Sequence, residues 1–356
     1  MFYKQGITAL LLLWSPIIFA EDFSAYFLID SFSNSEPIAI KAVTDDTWDG
    51  SFHTGDTAFA VGRAEVGVGW DQWRFGFYRR YDYYYKFSPD TAYLKYYTEN
   101  KLQLNTGEQL DIYLAANTLI ANGVSLTHSL TLADANFDIK VSYLEGKYLT
   151  SGSLVGDAEV LAENDYDLEF YVDYFYSEDK LFDREVVSPE GKGYSVDLNI
   201  DWSPSDDWDF NLSINDLLAK IFWEDAPRTS AIGDTDTKEY DENGYVIFNP
   251  VISGLETYED YTQTLPRKIS FTSAYSLNKA SILFEFKDFD IKQFYSIGLG
   301  FKGSNDDSVN VFYNYTASAL KFYYQSQWVE FGITTDEFQL HKARTFALQL
   351  SVTATF

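Results

Sequence analysis

The sequence predicts an all-β fold: a transmembrane, up-and-down antiparallel β-barrel of about sixteen strands, with about fourteen as the alternative count. Three observations predict it. Segments of roughly ten residues alternate apolar and polar side chains, turn residues separate them, and no later apolar run reaches the roughly eighteen residues of a membrane helix. In one clear segment, polar residues separate Tyr194, Val196, Leu198, Ile200 and Trp202.

The chain ends in a segment, 345–356, whose two-residue period runs to the last residue. One face carries Phe346, Leu348, Leu350, Val352, Ala354 and Phe356. In a closed barrel such a strand pairs with the first strand, so that no sheet edge stays exposed. The segment resembles the C-terminal signature of Gram-negative outer-membrane β-barrel proteins, in which the last residue is typically Phe and alternate positions before it are apolar.

That resemblance implies an architecture, a location in the cell outer membrane and two kinds of partner. The signature residues would be Leu350, Val352, Ala354 and Phe356. The barrel-assembly machinery would insert the chain, and outer-membrane lipid and lipopolysaccharide would surround it. The resemblance names no substrate.

Residues 1–20 have the pattern of a secretory signal peptide. Lys4 precedes an apolar run over 7–20, and Glu21 and Asp22 follow it. A membrane anchor is the alternative, but the run is too short to cross ~30 Å of hydrocarbon as a helix. We therefore predict cleavage after Ala20, which leaves residues 21–356 as one barrel domain.

Turn chemistry predicts tight hairpin turns at 69–72, 121–123, 203–207, 277–279 and 303–307. With the C-terminus in the periplasm, these turns fall on the periplasmic side. The long connections then fall outside, at 33–56, 86–108, 177–192, 223–265 and 336–344. The connection 151–165 does not fit this arrangement. Ser88 followed by Pro89 predicts a short helix within 86–108.

The charge balance excludes some classes of partner. A net charge of -28 argues against binding to nucleic acid or to an anionic membrane surface, both of which need basic patches. It suits a surface rich in divalent cations. The chain has no cysteine, so no disulfide contributes to its stability.

Charged residues on the polar face of several strands predict two walls of the barrel interior. The acidic wall comprises Asp167, Glu169, Asp173, Asp197, Asp201 and Asp209, and the basic wall comprises Arg63, Arg74 and Arg80. Opposed walls would sort solutes by charge in a water-filled pore. The alternative is that these groups only solvate the lumen or pair inside a plugged barrel.

Aromatic residues near strand ends predict girdles at the membrane interfaces, namely Trp70, Trp73, Trp202, Trp208, Tyr174 and Tyr176. The alternative is an aromatic track for sugars inside the pore, with Phe294 and Phe312 on the predicted inner face.

The connection 223–265 is rich in carboxylates, which predicts at most weak Ca²⁺ binding and no cofactor. Asp234 and Asp236 begin like a calcium loop, but Lys238 stands at the third ligand position and the required glycine is missing. A solvated acidic loop is the simpler interpretation, and no dedicated metal site is predicted.

The search for catalytic residues predicts that the chain is not an enzyme. His128 and Ser129 are adjacent on a strand and point to opposite faces, which a hydrolase cannot use. Asp206, Asp207 and Asp209 lie in a predicted periplasmic turn and are interpreted as turn residues.

The expected function is a porin-like outer-membrane channel for small hydrophilic solutes with a cation preference. The alternative is a barrel with a closed lumen that acts as a surface receptor, adhesin or envelope-assembly protein through its extracellular connections. A barrel-embedded lipid-modifying enzyme, with His128 at its site, is a third hypothesis.

Overall fold

A computed structural model describes residues 23–163, 165–181, 184–234, 239–240, 246–247, 251–303 and 307–356. The predicted signal peptide, 1–20, lies outside the described residues. Among those residues, no helix is both long and apolar enough to cross a membrane.

The described residues form mainly β-strands. The strands are β1 (Phe23–Ser35), β2 (Thr57–Trp70), β3 (Trp73–Phe87), β4 (Gln109–Leu132), β5 (Ala135–Ala162), β6 (Asp165–Tyr176), β7 (Glu190–Ser205), β8 (Trp208–Asp234), β9 (Glu239–Tyr240), β10 (Val246–Ile247), β11 (Val251–Thr264), β12 (Lys268–Leu277), β13 (Ala280–Asp288), β14 (Gln293–Lys302), β15 (Ser308–Asn314), β16 (Ala319–Gln325), β17 (Val329–Thr335) and β18 (Thr345–Thr355). Two short α-helices, α1 (Ile40–Thr44) and α2 (Pro89–Glu99), and a 3₁₀ turn at Leu340–Lys342 lie in the connections.

Fourteen strands close into an antiparallel barrel, and β6 and β11 add two more to the same sheet, for a total of 16. Around the barrel the order is β1 to β5, then β7, β8 and β12 to β18. The last strand pairs with the first, with Phe27 opposite Val352 and Asp30 opposite Gln349. The predicted fold class is therefore confirmed: the closed barrel has 14 strands and the whole sheet has 16.

Short turns and long connections lie at opposite ends of the barrel. The turn end contains the connections 71–72, 133–134, 206–207, 278–279, 303–307 and 326–328, together with both ends of the described chain. The loop end contains the long connections, including α2. Ser88 caps this helix, because its Oγ accepts a hydrogen bond from the Thr91 N–H at 3.1 Å.

The predicted turn at 121–123 is wrong, because these residues lie inside β4. Gly123 serves close packing instead of a turn: a Cβ there would lie 2.2 Å from Cζ of Tyr78 on the neighbouring strand. The true turn is at 133–134. The unexplained connection 151–165 also disappears, since β5 continues to Ala162 and β6 begins at Asp165.

The predicted loop 223–265 is also largely β-structure. Its first part, 223–234, continues β8, and Val251–Thr264 forms β11, which pairs with β8. The strands β4, β5 and β8 contain 24, 28 and 27 residues. At a rise of ~3.3 Å per residue they far exceed a ~25 Å apolar band, so their upper halves project beyond the barrel.

This projecting part, called the extension below, consists of β6, β11 and the upper halves of β4, β5 and β8. One face of its sheet packs against α2 through an apolar core that includes Leu94, Ile112, Val160, Phe170 and Tyr174. The Arg228 side chain on β8 donates two hydrogen bonds of 2.8 Å to Asp173 on β6, and these hold the pKa of Asp173 below its usual range.

The barrel proper presents apolar side chains outward. Phe75 is 57% exposed and Leu299 is 54% exposed, and both belong to a belt that also contains Val66, Val124, Val141, Tyr194, Ile282 and Val311. On β18 the outward positions include Leu348, Leu350 and Val352, which pair with outward residues of β1. Each barrel strand thus has one face suited to lipid and one that faces the lumen.

Candidate functional site: the barrel lumen

The lumen contains two adjacent cavities of about 370 and 380 Å³. The lower chamber, near the turn end, is lined by residues that include Ser24, Tyr26, Arg74, Lys140 and Thr355. The upper chamber, nearer the loop end, is lined by residues that include Asp30, Phe32, Asn211, Lys268, Lys287 and Phe289. Both chambers share Leu28, Arg63, Asn199, Ser213 and Asn215, so they are adjacent parts of one polar lumen.

An ion pair lies where the two chambers meet. Nη1 and Nη2 of Arg63 on β2 each donate to Oδ2 of Asp197 on β7 at 3.2 Å. The Arg63 guanidinium also lies 4.6 Å from the ring centroid of Tyr78. Four strand-to-strand steps separate β2 from β7, so this contact crosses the lumen instead of following one wall.

A second cluster of charges is buried beside the upper chamber. Arg80 donates from Nε to Asp82 at 2.6 Å, and from Nη1 and Nη2 to the two oxygens of Asp216 at 2.7 Å each. Lys268 on β12 donates to the same two carboxylates, at 3.0 Å to Asp82. Two cations therefore face two carboxylates, and the cluster is neutral.

The lower chamber is balanced in the same way. Lys140 pairs with Glu65, which also accepts a 2.8 Å hydrogen bond from the Tyr26 hydroxyl. Arg74 pairs with Asp138. With Arg63 and Asp197, the chamber has three cations and three carboxylates among its lining residues.

Phenylalanine rings from opposite walls meet above the upper chamber. Phe289, in the connection between β13 and β14, lies with its ring centroid 4.7 Å from Phe32, 5.0 Å from Phe59 and 5.9 Å from Phe294. These four residues, called the aromatic cap below, belong to one buried cluster. Two rings of the cap, Phe32 and Phe289, line the upper chamber on its loop-end side.

The connection 289–292 that carries Phe289 is tied to the opposite wall. Nζ of Lys292 donates to Glu36 Oε1 at 2.6 Å and to Asn34 Oδ1 at 3.0 Å. Partial burial alone would raise the pKa of Glu36, but the hydrogen bonds from Lys292 and from the Asp56 N–H hold it below its ordinary value.

The predicted walls have different neighbours from those expected. Asp167, Glu169 and Asp173 lie on β6 in the extension, so they do not line the barrel. Asp201 accepts hydrogen bonds from Asn199 and Asn211, and Asp209 accepts one from Ser203 at 2.7 Å. Asp197 and all three basic residues are in ion pairs. Asp197 of the predicted acidic wall therefore pairs directly with Arg63 of the predicted basic wall, and Arg74 and Arg80 pair with carboxylates outside the predicted acidic wall.

Sequence reasoning missed Asp82, Asp216 and Lys268, which complete the buried cluster. Asp82 follows Tyr78 and Arg80 on the inward face of β3, so alternation alone could have found it. Asp216 follows an irregularity in β8, where it has a positive φ of 58° and where the alternation shifts. No regular sequence pattern therefore predicts that Asp216 belongs to the buried cluster.

The predicted aromatic residues divide between the two surfaces. Phe294 and Phe312 both face inward and are buried, Phe294 in the aromatic cap and Phe312 with its ring centroid 5.0 Å from Nζ of Lys321. Trp202 and Trp208 stack near the turn end on the ring of Phe210, with centroids 5.3 and 5.4 Å away. These outward tryptophans fit a girdle, whereas Tyr174 and Tyr176 are buried in the apolar core of the extension and do not belong to one.

The residues considered for catalysis do not assemble into a site. The His128 ring stacks on Trp73 with a centroid distance of 4.2 Å, whereas the Ser129 hydroxyl donates to Asp138 inside the barrel. Within the part of the chain that is described, no group of three or more His, Cys, Asp or Glu residues could hold a metal ion. Asp236 and Lys238, from the predicted calcium loop, lie outside the described residues.

The chain matches no protein-family model and no curated protein. Among solved structures it is similar to the Pseudomonas putida toluene transporter TodX, with a TM-score of 0.43, 10% identity and coverage of 94% of this chain and 89% of that one. The CymD monoaromatic hydrocarbon channel gives 0.40 and 8%, with coverage of 95% and 89%. The Escherichia coli outer membrane protease OmpT gives 0.23 and 9%, with coverage of 94% and 97%. These scores are too low to support an argument about function, which has to come from the lumen itself.

Proposed function

We propose that this chain is a gated outer-membrane channel for small polar solutes. The observation that carries the proposal is the pair of adjacent chambers inside the barrel, which are lined by hydroxyl, amide and charged groups. A polar solute that enters the lumen exchanges hydrogen bonds to water for hydrogen bonds to such groups at low cost. An apolar solute would strip water from these groups and offer no hydrogen bond in return.

Charge balance argues for neutral or zwitterionic solutes in place of the cation preference expected from the sequence. The three cations of the lower chamber are matched by three carboxylates, and the buried cluster of Arg80 and Lys268 is neutral as well. A lumen without excess charge generates little field along the pore. We therefore expect similar permeabilities for K⁺ and Cl⁻.

The aromatic cap gives the channel its gate. Solute entering from the loop end reaches the upper chamber only when Phe289 leaves its contacts with Phe32, Phe59 and Phe294. The connection 289–292 is a short turn between the neighbouring strands β13 and β14, so its displacement would uncover the upper chamber without unfolding any strand.

Planar-bilayer recordings test this proposal. Phe289→Ala removes one ring of the cap, so we expect its open probability to exceed that of the wild type several-fold. Phe284→Ala is the matched control, because Phe284 lies on β13 but faces outward and is 41% exposed. If correctly folded wild type and Phe289→Ala were both silent, the channel would be excluded.

A closed receptor is the second candidate, and a specific observation favours it. The extension and α2 offer a large folded surface beyond the membrane, and the aromatic cap closes the lumen beneath it. This candidate predicts no conductance from either protein in the same recordings, so one experiment separates the two functions.

A further inference from the structure

Two charged side chains that line the upper chamber differ from the rest of the lumen. Arg63, Arg80 and Lys268 have carboxylate partners within 3.2 Å. Asp30 and Lys287 line the same chamber but are only weakly engaged. They are the starting point for an inference about the solute.

Among the described residues, Gln349 is the one hydrogen-bond donor to Asp30, so most acceptor positions of this carboxylate are free. It lies on the inward face of β1 and is exposed to the chamber. One oxygen accepts a long hydrogen bond of 3.4 Å from Nε2 of Gln349 on β18. A carboxylate has about four acceptor positions, so this contact leaves room for a cationic donor.

Lys287 is the counterpart with positive charge. Its Nζ lies 3.6 Å from Oε1 of Glu285, which is longer than a hydrogen bond. Glu285 already accepts a 2.6 Å hydrogen bond from Lys321. The Lys287 ammonium is therefore ion-paired with a carboxylate that Lys321 also engages. An ammonium has three donors, and this contact uses at most one of them, so donors remain for a solute.

The two walls come close together at this level. Nζ of Lys287 on β13 lies 5.7 Å from the ring centroid of Phe32 on β1, and Phe32 is two residues from Asp30 on the same inward face. Phe32 and Phe289 also line the chamber, so one end of it is apolar. The chamber thus combines one acceptor of negative charge, one donor of positive charge and an apolar end.

We propose that the upper chamber binds α-amino acids with apolar side chains. The α-ammonium group donates to Asp30, the α-carboxylate accepts from Lys287, and the side chain packs against Phe32 and Phe289. A zwitterion brings no net charge into a lumen whose other charges are already balanced. This inference rests on the proposed channel and names the solute class of the same lumen.

Binding of three related probes to the purified protein in detergent tests the proposal by titration calorimetry. L-Phenylalanine carries both charges, 3-phenylpropionate carries only the carboxylate and phenethylamine carries only the ammonium. For the wild type we expect L-phenylalanine to bind about tenfold more tightly than either of the others, which is the worth of one charge-assisted hydrogen bond.

Single substitutions should remove this advantage selectively. Asp30→Asn should leave L-phenylalanine no better than 3-phenylpropionate, and Lys287→Gln should leave it no better than phenethylamine. Lys279→Gln, in the turn between β12 and β13, is the matched control and should change none of the three affinities.

Equal binding of the three probes, or equal losses for all three in both variants, would overturn the proposal. The double variant Asp30→Lys with Lys287→Asp exchanges the two charges and should restore selectivity for the zwitterion. Restored selectivity would show that the single variants lost a charge contact and not their fold. Binding does not require conduction, so a protein that conducts without selective binding would refute the amino-acid site alone. A protein that neither conducts nor binds would refute the channel as well.

Discussion

Arg80 uses three nitrogen atoms in hydrogen bonds to two buried carboxylates. An intact buried ion-pair cluster adds little stability relative to an apolar core, because the desolvation of the charges offsets most of the attraction between them. Removal of Arg80 alone is destabilising, because the two carboxylates would stay buried with Lys268 as their remaining cation. The cluster therefore stabilises this particular arrangement of β3, β8 and β12 against alternatives.

We predict that Arg80→Ala lowers the free energy of unfolding by about 3–5 kcal/mol, the usual cost of breaking a buried ion pair. Urea unfolding in lipid vesicles, followed by tryptophan fluorescence, measures it. Lys95→Ala is the control, since Lys95 forms an exposed pair with Glu99 on α2 that is worth only ~0.3–0.5 kcal/mol. Similar losses in the two variants would show that the buried cluster does not stabilise the barrel.

At the scale of elements, the connection between β13 and β14 joins the gate to a titratable group. Phe289 and Lys292 lie at its two ends, and Lys292 holds Glu36 and Asn34 on the far wall. The pKa of Glu36 is below its ordinary value of 4.5, so its charged form favours the closed connection. The stabilisation of the closed connection by the charged Glu36 is fully present above pH 4.5, and it is lost as the pH falls through the lowered pKa of Glu36.

We therefore predict that acidification below pH 4.5 raises the open probability in bilayer recordings. Glu36→Gln should show the raised open probability already at pH 7 and lose most of the pH dependence. Glu337→Gln, at the exposed start of another loop-end connection, is the control and should titrate like the wild type. A pH response that survives in Glu36→Gln would assign the titration to another group.

The long strands show how far local patterns identify elements. Alternation predicts strands throughout β4, β5 and β8, but it cannot say where a strand leaves the membrane. Residues 121–123 resemble a turn because Asn-Gly is the strongest short hairpin signal. The ring of Tyr78, from a strand about 45 residues earlier, fills the space above Gly123 and explains the glycine.

At the scale of the whole molecule, the barrel requires that β18 present one face to lipid and the other to the lumen. Leu350 and Gln349 are neighbours in the middle of this strand and point in opposite directions. They provide a matched pair of positions for a test of the fold.

We predict that Leu350→Lys lowers the free energy of unfolding in lipid vesicles by about 2–4 kcal/mol, because a charge then faces the bilayer midplane. Gln349→Lys should cost little, since its charge faces the polar lumen beside Asp30. Equal costs at the two positions would contradict the assigned faces of the strand.

The sequence by itself determined the class of fold and the facing of most side chains. Both follow from a two-residue period, which is a local property of each strand and needs no knowledge of its neighbours. It placed Arg63, Arg80 and Asp197 on inward faces and Leu350 on an outward face, as the structure has them.

Only the tertiary structure decided which charges meet. Arg63 and Asp197 are 134 residues apart, and Arg80 and Asp216 are 136 residues apart. Their contact depends on the closure of the barrel and on the stagger of its strands, which no local pattern encodes. The same closure places Phe289, Asp30 and Lys287 around one chamber, so the proposed gate and the proposed solute site both depend on the closed barrel.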